Sequence, residues 1–232
     1  SISDILHNNV AICEQVNKLC RPLEHFTHYM QQGYYPFGAE GFATYNQRVE
    51  NTVDLLLNIE LPQLRKVDIG NIRKLKALLS VLASEVPMLV DTAKLSTLLG
   101  ISRNTLLAYL EYLDEAKLIR RLYSDDLSVK KMQKPDKILM DNCNLLKVLA
   151  LKEPNIGTLR ETFFCNQLGY QHQVEYSKQG DFLIDHQITF EIGGQAKEGK
   201  QVAAVENAYI VADDIEYSYG NKLPIWLFGL LY

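Results

Sequence analysis

The stretch that most constrains this chain runs from Asp91 to Tyr123, DTAKLSTLLGISRNTLLAYLEYLDEAKLIRRLY. Asp91 or Thr92 can cap a first helix, because a short side-chain oxygen accepts from amides that lack intrahelical partners. That helix turns Ala93, Leu95, Leu98 and Leu99 inward and stops at Gly100. Ser102 then caps a second helix, whose Leu106, Tyr109, Leu110 and Leu113 recur at the three-and-four spacing of one buried stripe. It ends near Lys117, and LIRRLY alternates as a strand does. Helix, tight turn, helix and strand predict a winged helix-turn-helix.

A second helix that reads DNA offers Arg, Lys, Asn or Gln on its solvent face. Arg103, Asn104 and Thr105 near its start are the candidates, with Arg120 and Arg121 on the strand that follows. Against them stand Glu111, Asp114 and Glu115 further along, which phosphates repel. The other use of the same fold is a structural spacer or protein-docking module.

Net charge favours the docking use over DNA binding. The 232 residues carry -4, so any DNA contact has to come from a local patch. Between Arg120 and Lys137, the cations Arg120, Arg121, Lys130, Lys131, Lys134 and Lys137 face Asp125, Asp126 and Asp136, a modest positive excess equally typical of a solvated loop. Cys13, Cys20, Cys143 and Cys165 form no C-x-x-C pair, and His7, His25, His28, His172 and His186 form no ligand cluster with them, which argues against zinc. With no signal peptide and no long apolar run, the expectation is a cytoplasmic chain with free thiols and no membrane partner. It opens at Ser1 in helical sequence with no initiator Met, as if cut from something longer.

Taken in order, residues 1–31 read as helix interrupted at Pro22, and GYYPFGAEGFATY as a loop. A helix follows from Tyr45 to Asn58, with a break at LPQL, residues 61–64. Another, Ile69 to Ser84, turns Ile72, Leu75, Leu78, Leu79 and Leu82 inward and leads into the helix-turn-helix. No Gly/Ser-rich linker intervenes, so the N-terminal helices are expected to pack on the winged domain. After a polar crossover at 130–137, KILM begins a second domain as a short strand, and Asp141 or Asn142 caps a helix through Leu149. A helix over 155–168 precedes the strands HQVEYS, GDFLID, QITFEI and NAYIVADD, and LPIWLFGLLY closes the chain as a strand or buried tail. The expected fold is α+β: a helical segment (1–66), a winged helix-turn-helix (67–135) and a small α/β domain (136–232).

No G-x-x-x-x-G-K-[ST], G-x-S-x-G, H-E-x-x-H or G-x-G-x-x-G occurs. The acids of the last domain carry the strongest chemical suggestion. Asp181 opens one strand, Glu191 lies on the adjacent strand, and Glu161 lies on a helix. Carboxylates so placed can ligate Mg²⁺ and activate water for phosphodiester cleavage, with a lysine to stabilise charge. That is the logic of PD-(D/E)XK nucleases. The lysine belongs two residues after the second acid, where Gly193 stands; Lys197 and Lys200 serve only if the chain folds back. The bland alternative is that these acids cap strands or pair with Arg160 and Lys178.

The order G-Y-Y-P, winged helix, K-x-x-x-x-D-N, G-x-x-x-E-x-F, G-D-F and F-E-I-G, from about Gly33 to Tyr232, resembles a family of bacterial and archaeal AAA+ ATP-binding proteins with a C-terminal domain of unknown function. The resemblance implies a bacterial protein whose ATP-binding domain precedes residue 1 and is this region's partner. It also implies a restriction-endonuclease-like tail with Glu161, Asp181 and Glu191 at its acidic positions; Gly193 departs from that pattern. Three functions follow as expectations: a non-catalytic tail coupling nucleotide state to DNA or a protein partner, a Mg²⁺-dependent nuclease, or a pure protein-interaction module. In the nuclease, Asp181 and Glu191 would be the metal ligands, Glu161 a third acid and Lys197 the charge stabiliser.

Overall fold

The computed structural model describes residues 1–41, 43–65, 69–124 and 134–231. They divide into two units, Ser1–Gln31 with Asn155–Tyr232, and Gln32–Pro154. Each mixes helices with a sheet, and the chain is α+β.

The contiguous unit contains the winged helix. Its first long helix, α3 (Tyr45–Leu55), passes through a π-helical turn at Leu56–Glu60 into the short α4 (Leu61–Arg65), so the expected break at 61–64 is a continued helix. Pro62, which has no N–H to donate, stands just past that π-helical turn. Helix α5 (Ile69–Glu85) buries the expected stripe of Ile72, Leu75, Leu78, Leu79 and Leu82. The short strand β1 (Met88–Leu89) leads to α6 (Thr92–Leu99), capped by Asp91, whose carboxylate accepts from the amides of Ala93 and Lys94. The backbone hydrogen bond from Lys94, foremost, keeps that carboxyl below its ordinary range.

Gly100 closes α6 in the left-handed region (φ 58°), which costs a glycine least, and its amide donates back into the last turn. Ser102 caps α7 (Arg103–Glu115) by accepting from the Thr105 amide, and Leu106, Tyr109, Leu110 and Leu113 are buried as expected. Strand β2 (Ile119–Leu122) then pairs antiparallel with β3 (Lys137–Met140), Ile119 opposite Met140 and Leu122 opposite Lys137; β3 also pairs with β1. Strand β3 is therefore the middle strand of the winged-helix sheet, ordered β1-β3-β2. This corrects the expected boundary at 135/136: KILM completes the winged domain and does not open the next one. Helix α8 (Cys143–Leu149), capped by Asn142, belongs to the same unit.

The second unit joins the two ends of the chain. Helix α1 (Ile2–Leu19) packs on the closing 3-10 turn, and α2 (Pro22–Gln32) meets α9 (Ile156–Leu168), where Phe26 sets its ring edge-on to Phe163 at 4.8 Å and Gln167 donates to the Tyr29 hydroxyl. Residues 1–31 thus belong to the second sheet's unit, whereas α3 and α4 belong to the winged-helix unit, so the expected 1–66 segment is divided between the two. The sheet runs β4 (Val174–Tyr176), β5 (Phe182–Ile184), β6 (Ile188–Gly193), β7 (Ala208–Ala212) and β8 (Lys222–Pro224), in that order. The first three are antiparallel; β7 and β8 continue parallel to β6. One face carries Phe182 and Phe190 against Phe164 of α9, with Phe228 of the closing 3-10 turn (Ile225–Leu230) completing a fully buried aromatic core. No helix of the described residues is long and apolar enough to cross a membrane.

Candidate functional site

Asp181 and Glu191 lie at neighbouring strands of the second sheet, at the β5–β6 pair. The register pairs Phe182 with Phe190, so Asp181 and Glu191 stand opposite each other one step beyond. Because side chains alternate across a strand, Glu191 lies on the face turned away from Phe190 and α9. The Asp181 amide donates to the Phe190 carbonyl, and the Asp181 carboxylate accepts from the Ile192 amide at 2.6 Å. Glu191 is only 2% exposed. Its Oε1 lies 2.9 Å from the Lys197 ammonium, and its Oε2 is sealed from solvent with no partner among the described residues.

Lys197 reaches Glu191 because the chain turns back over the sheet: the Lys197 amide donates to the Gly194 carbonyl, closing a tight turn just past β6. Its aliphatic stem crosses Gly193, where an added Cβ would stand 2.8 Å from each of Lys197 Cβ, Cγ and Cδ. The fold-back that a substitute lysine needs is therefore present. Glu161, by contrast, is carried by α9, on the Phe182–Phe190 face. Arg160 pairs with Asp213 at 2.9 Å, rather than with any of the three acids. Among the described residues no group of three or more His, Cys, Asp or Glu side chains could hold a metal ion. The Mg²⁺ implied by the nuclease resemblance does not fit: Lys197 takes one Glu191 oxygen, a backbone amide takes an Asp181 oxygen, and the third acid comes from the helix on the other face.

In the winged helix, Arg103 and Asn104 are exposed at the start of α7, and Thr105, half-buried, bonds the Ser102 hydroxyl at 2.8 Å. The two arginines of β2 are spent inside the domain. Arg120, 9% exposed, forms an ion pair with the fully buried Asp141 at 3.0 Å, and Arg121 binds Asp114 at 3.0 Å. Both guanidinium groups, expected as DNA contacts, are thus engaged by carboxylates of their own domain. Lys137 is buried in β3; Lys130, Lys131, Asp125 and Asp126 lie outside the described residues. The exposed face of α7 keeps Glu111 and Glu115.

A buried polar network escaped the sequence reading. The Asp141 carboxylate accepts from the Tyr34 hydroxyl at 3.2 Å and from the Asn142 amide group, while the Asn144 side-chain oxygen accepts from the Tyr34 amide at 2.9 Å and from the Tyr45 hydroxyl. Burial pushes the Asp141 carboxyl above its ordinary range, and Arg120, Asn142 and Tyr34 only partly oppose it. The network ties the GYYP loop to the end of β3. Its signal was three polar residues among D-N-C-N directly after the apolar KILM, a pattern that surface loops share.

A family model described as a domain of unknown function, DUF8612, matches residues 23–155, more than half of the chain, and the chain belongs to that family. The matched span nearly coincides with the winged-helix unit and contains the whole Asp141 network. No curated protein and no solved structure matches the chain.

Proposed function

We propose that this chain is a non-catalytic module of an ATP-binding protein, which passes nucleotide state to a protein partner docked on its winged helix. The observation that carries this reading is the internal use of Arg120 and Arg121 by Asp141 and Asp114. A winged helix that binds duplex DNA needs several cations free for phosphates, since phosphate contacts dominate affinity. Here Arg103 leads an α7 whose outer face continues as Glu111 and Glu115, a surface that repels phosphates and suits a basic protein surface. The sealed Glu191 supports the same reading for the second sheet, where a nuclease needs carboxylates open to metal and substrate.

The second reading, a metal-dependent nuclease, draws support from one observation, the Lys197 ammonium at 2.9 Å from Glu191. The coupling reading is tested by titrating labelled duplex DNA with the chain at low and near-physiological salt. It expects no saturable binding at either, and saturable, salt-sensitive binding would overturn it.

A further inference from the structure

A carboxylate as buried as that of Glu191 needs a partner, because taking a charge out of water is unfavourable unless it is paired. We infer that the Lys197 ammonium is the resident cation of this site, standing where the nuclease resemblance implies a divalent metal, and that Gly193 is the residue that makes room for it. The inference rests on the non-catalytic reading above and adds the device that keeps the site closed.

Three observations converge. Glu191 is buried, and the ammonium at 2.9 Å is the cation at its carboxylate. Any side chain at residue 193 would occupy the path of the Lys197 stem, from which an added Cβ would stand 2.8 Å. A lysine at 193 and a lysine reaching over from 197 therefore exclude each other, and this chain has the second arrangement. The turn closed by the Lys197 amide on the Gly194 carbonyl delivers the stem along that path.

Charge completes the argument. Glu191 and Lys197 neutralise each other, so a divalent ion entering between Asp181 and Glu191 would meet an ammonium already seated there. It would have to expel Lys197 and take over both carboxylates, one of which holds the Ile192 amide at 2.6 Å. Removing the lysine charge should convert the site into a weak divalent-cation site built on the opposed pair, since hard cations prefer carboxylate oxygens.

The test is a Mn²⁺ titration of the full chain, free Mn²⁺ being read by electron paramagnetic resonance. It compares the native protein with Lys197→Met, which keeps the stem and drops the charge, and with Lys197→Met combined with Asp181→Asn. Lys197→Met is expected to bind Mn²⁺ at least about tenfold more tightly than the native protein, and Asp181→Asn to abolish the gain. Equal affinity in the native protein and Lys197→Met overturns the inference. Should circular dichroism show Lys197→Met unfolded, Gly193→Ala replaces it, because its Cβ displaces the stem; absence of a gain there overturns the inference equally. Incubation of the native protein with plasmid and Mn²⁺ separates the two levels. Cleavage overturns the non-catalytic reading and the inference with it, whereas native Mn²⁺ binding as tight as the variant's, without cleavage, overturns the inference alone.

Discussion

Replacing Arg120 by methionine removes the guanidinium and leaves Asp141 as a buried carboxylate without its cation. Asp141 is fully buried and Arg120 is 9% exposed, so the pair belongs to the interior class and not to the surface class. Breaking an interior pair by removing one partner costs about 3–5 kcal/mol, against about 0–1 kcal/mol for a surface pair. In a chain of 232 residues each kcal/mol lowers Tm by about 2–4 °C, so the expected loss at pH 7 is about 6–20 °C. Thermal unfolding followed by circular dichroism measures it.

The pH dependence carries a sign that checks the cause. Burial already raises the Asp141 carboxyl above its ordinary value with Arg120 in place, and losing Arg120 raises it further. A carboxyl whose folded pKa exceeds its unfolded value binds its proton more readily in the native state. It therefore costs stability above the folded pKa, and that cost fades as pH falls through it. The Arg120→Met deficit should be largest near neutrality and narrow in acid. A loss under about 1 kcal/mol at pH 7, the surface-pair value, would refute the placement of Arg120 as an interior group, and a deficit that does not change with pH would refute the electrostatic cause.

Phe164→Ala should cost about 3–5 kcal/mol in chemical denaturation, because the ring is fully buried against Phe182, Phe190 and Phe228 at 5.5, 5.0 and 4.8 Å; a loss below about 1 kcal/mol would contradict that core. Asp185, at the β5–β6 turn, has its carboxyl pushed up by burial, but hydrogen bonds from His172 and the Gln173 amide outweigh this and hold it below its ordinary range. Its stabilising contribution is present above the unfolded pKa near 3.9 and is lost as pH falls below it, so the advantage of the native protein over Asp185→Asn should shrink in acid; an advantage that grows there would contradict the pairing.

The winged helix was legible because its signals are local. Asp91, Gly100 and Ser102 act within four residues of themselves, and the leucines of α7 repeat on one helical face. Strand β3 was read as a strand but placed in the following domain, because its partners lie far off in sequence, at Met88–Leu89 and Ile119–Leu122, and a strand buried on both faces shows no alternation to announce its sheet. The same distance hid Arg120, whose partner Asp141 stands at the far end of the wing crossover. At the candidate site, the acids were legible from strand register, since residues flanking a hairpin turn pair predictably. The Lys197 contact was legible only as conditional on a fold-back, because it depends on the path of a turn that composition does not specify.

The measurement that bears most directly on the proposed role is fluorescence anisotropy of labelled duplex DNA titrated with the native chain, first at low salt, where attraction to phosphates is strongest. An internally paired Arg120 and Arg121 beside an acidic α7 predict no saturable signal there, nor near physiological salt. Saturable binding that weakens steeply with added salt, and weakens again in Arg103→Ala, would contradict the account and make the winged helix a DNA-contacting element.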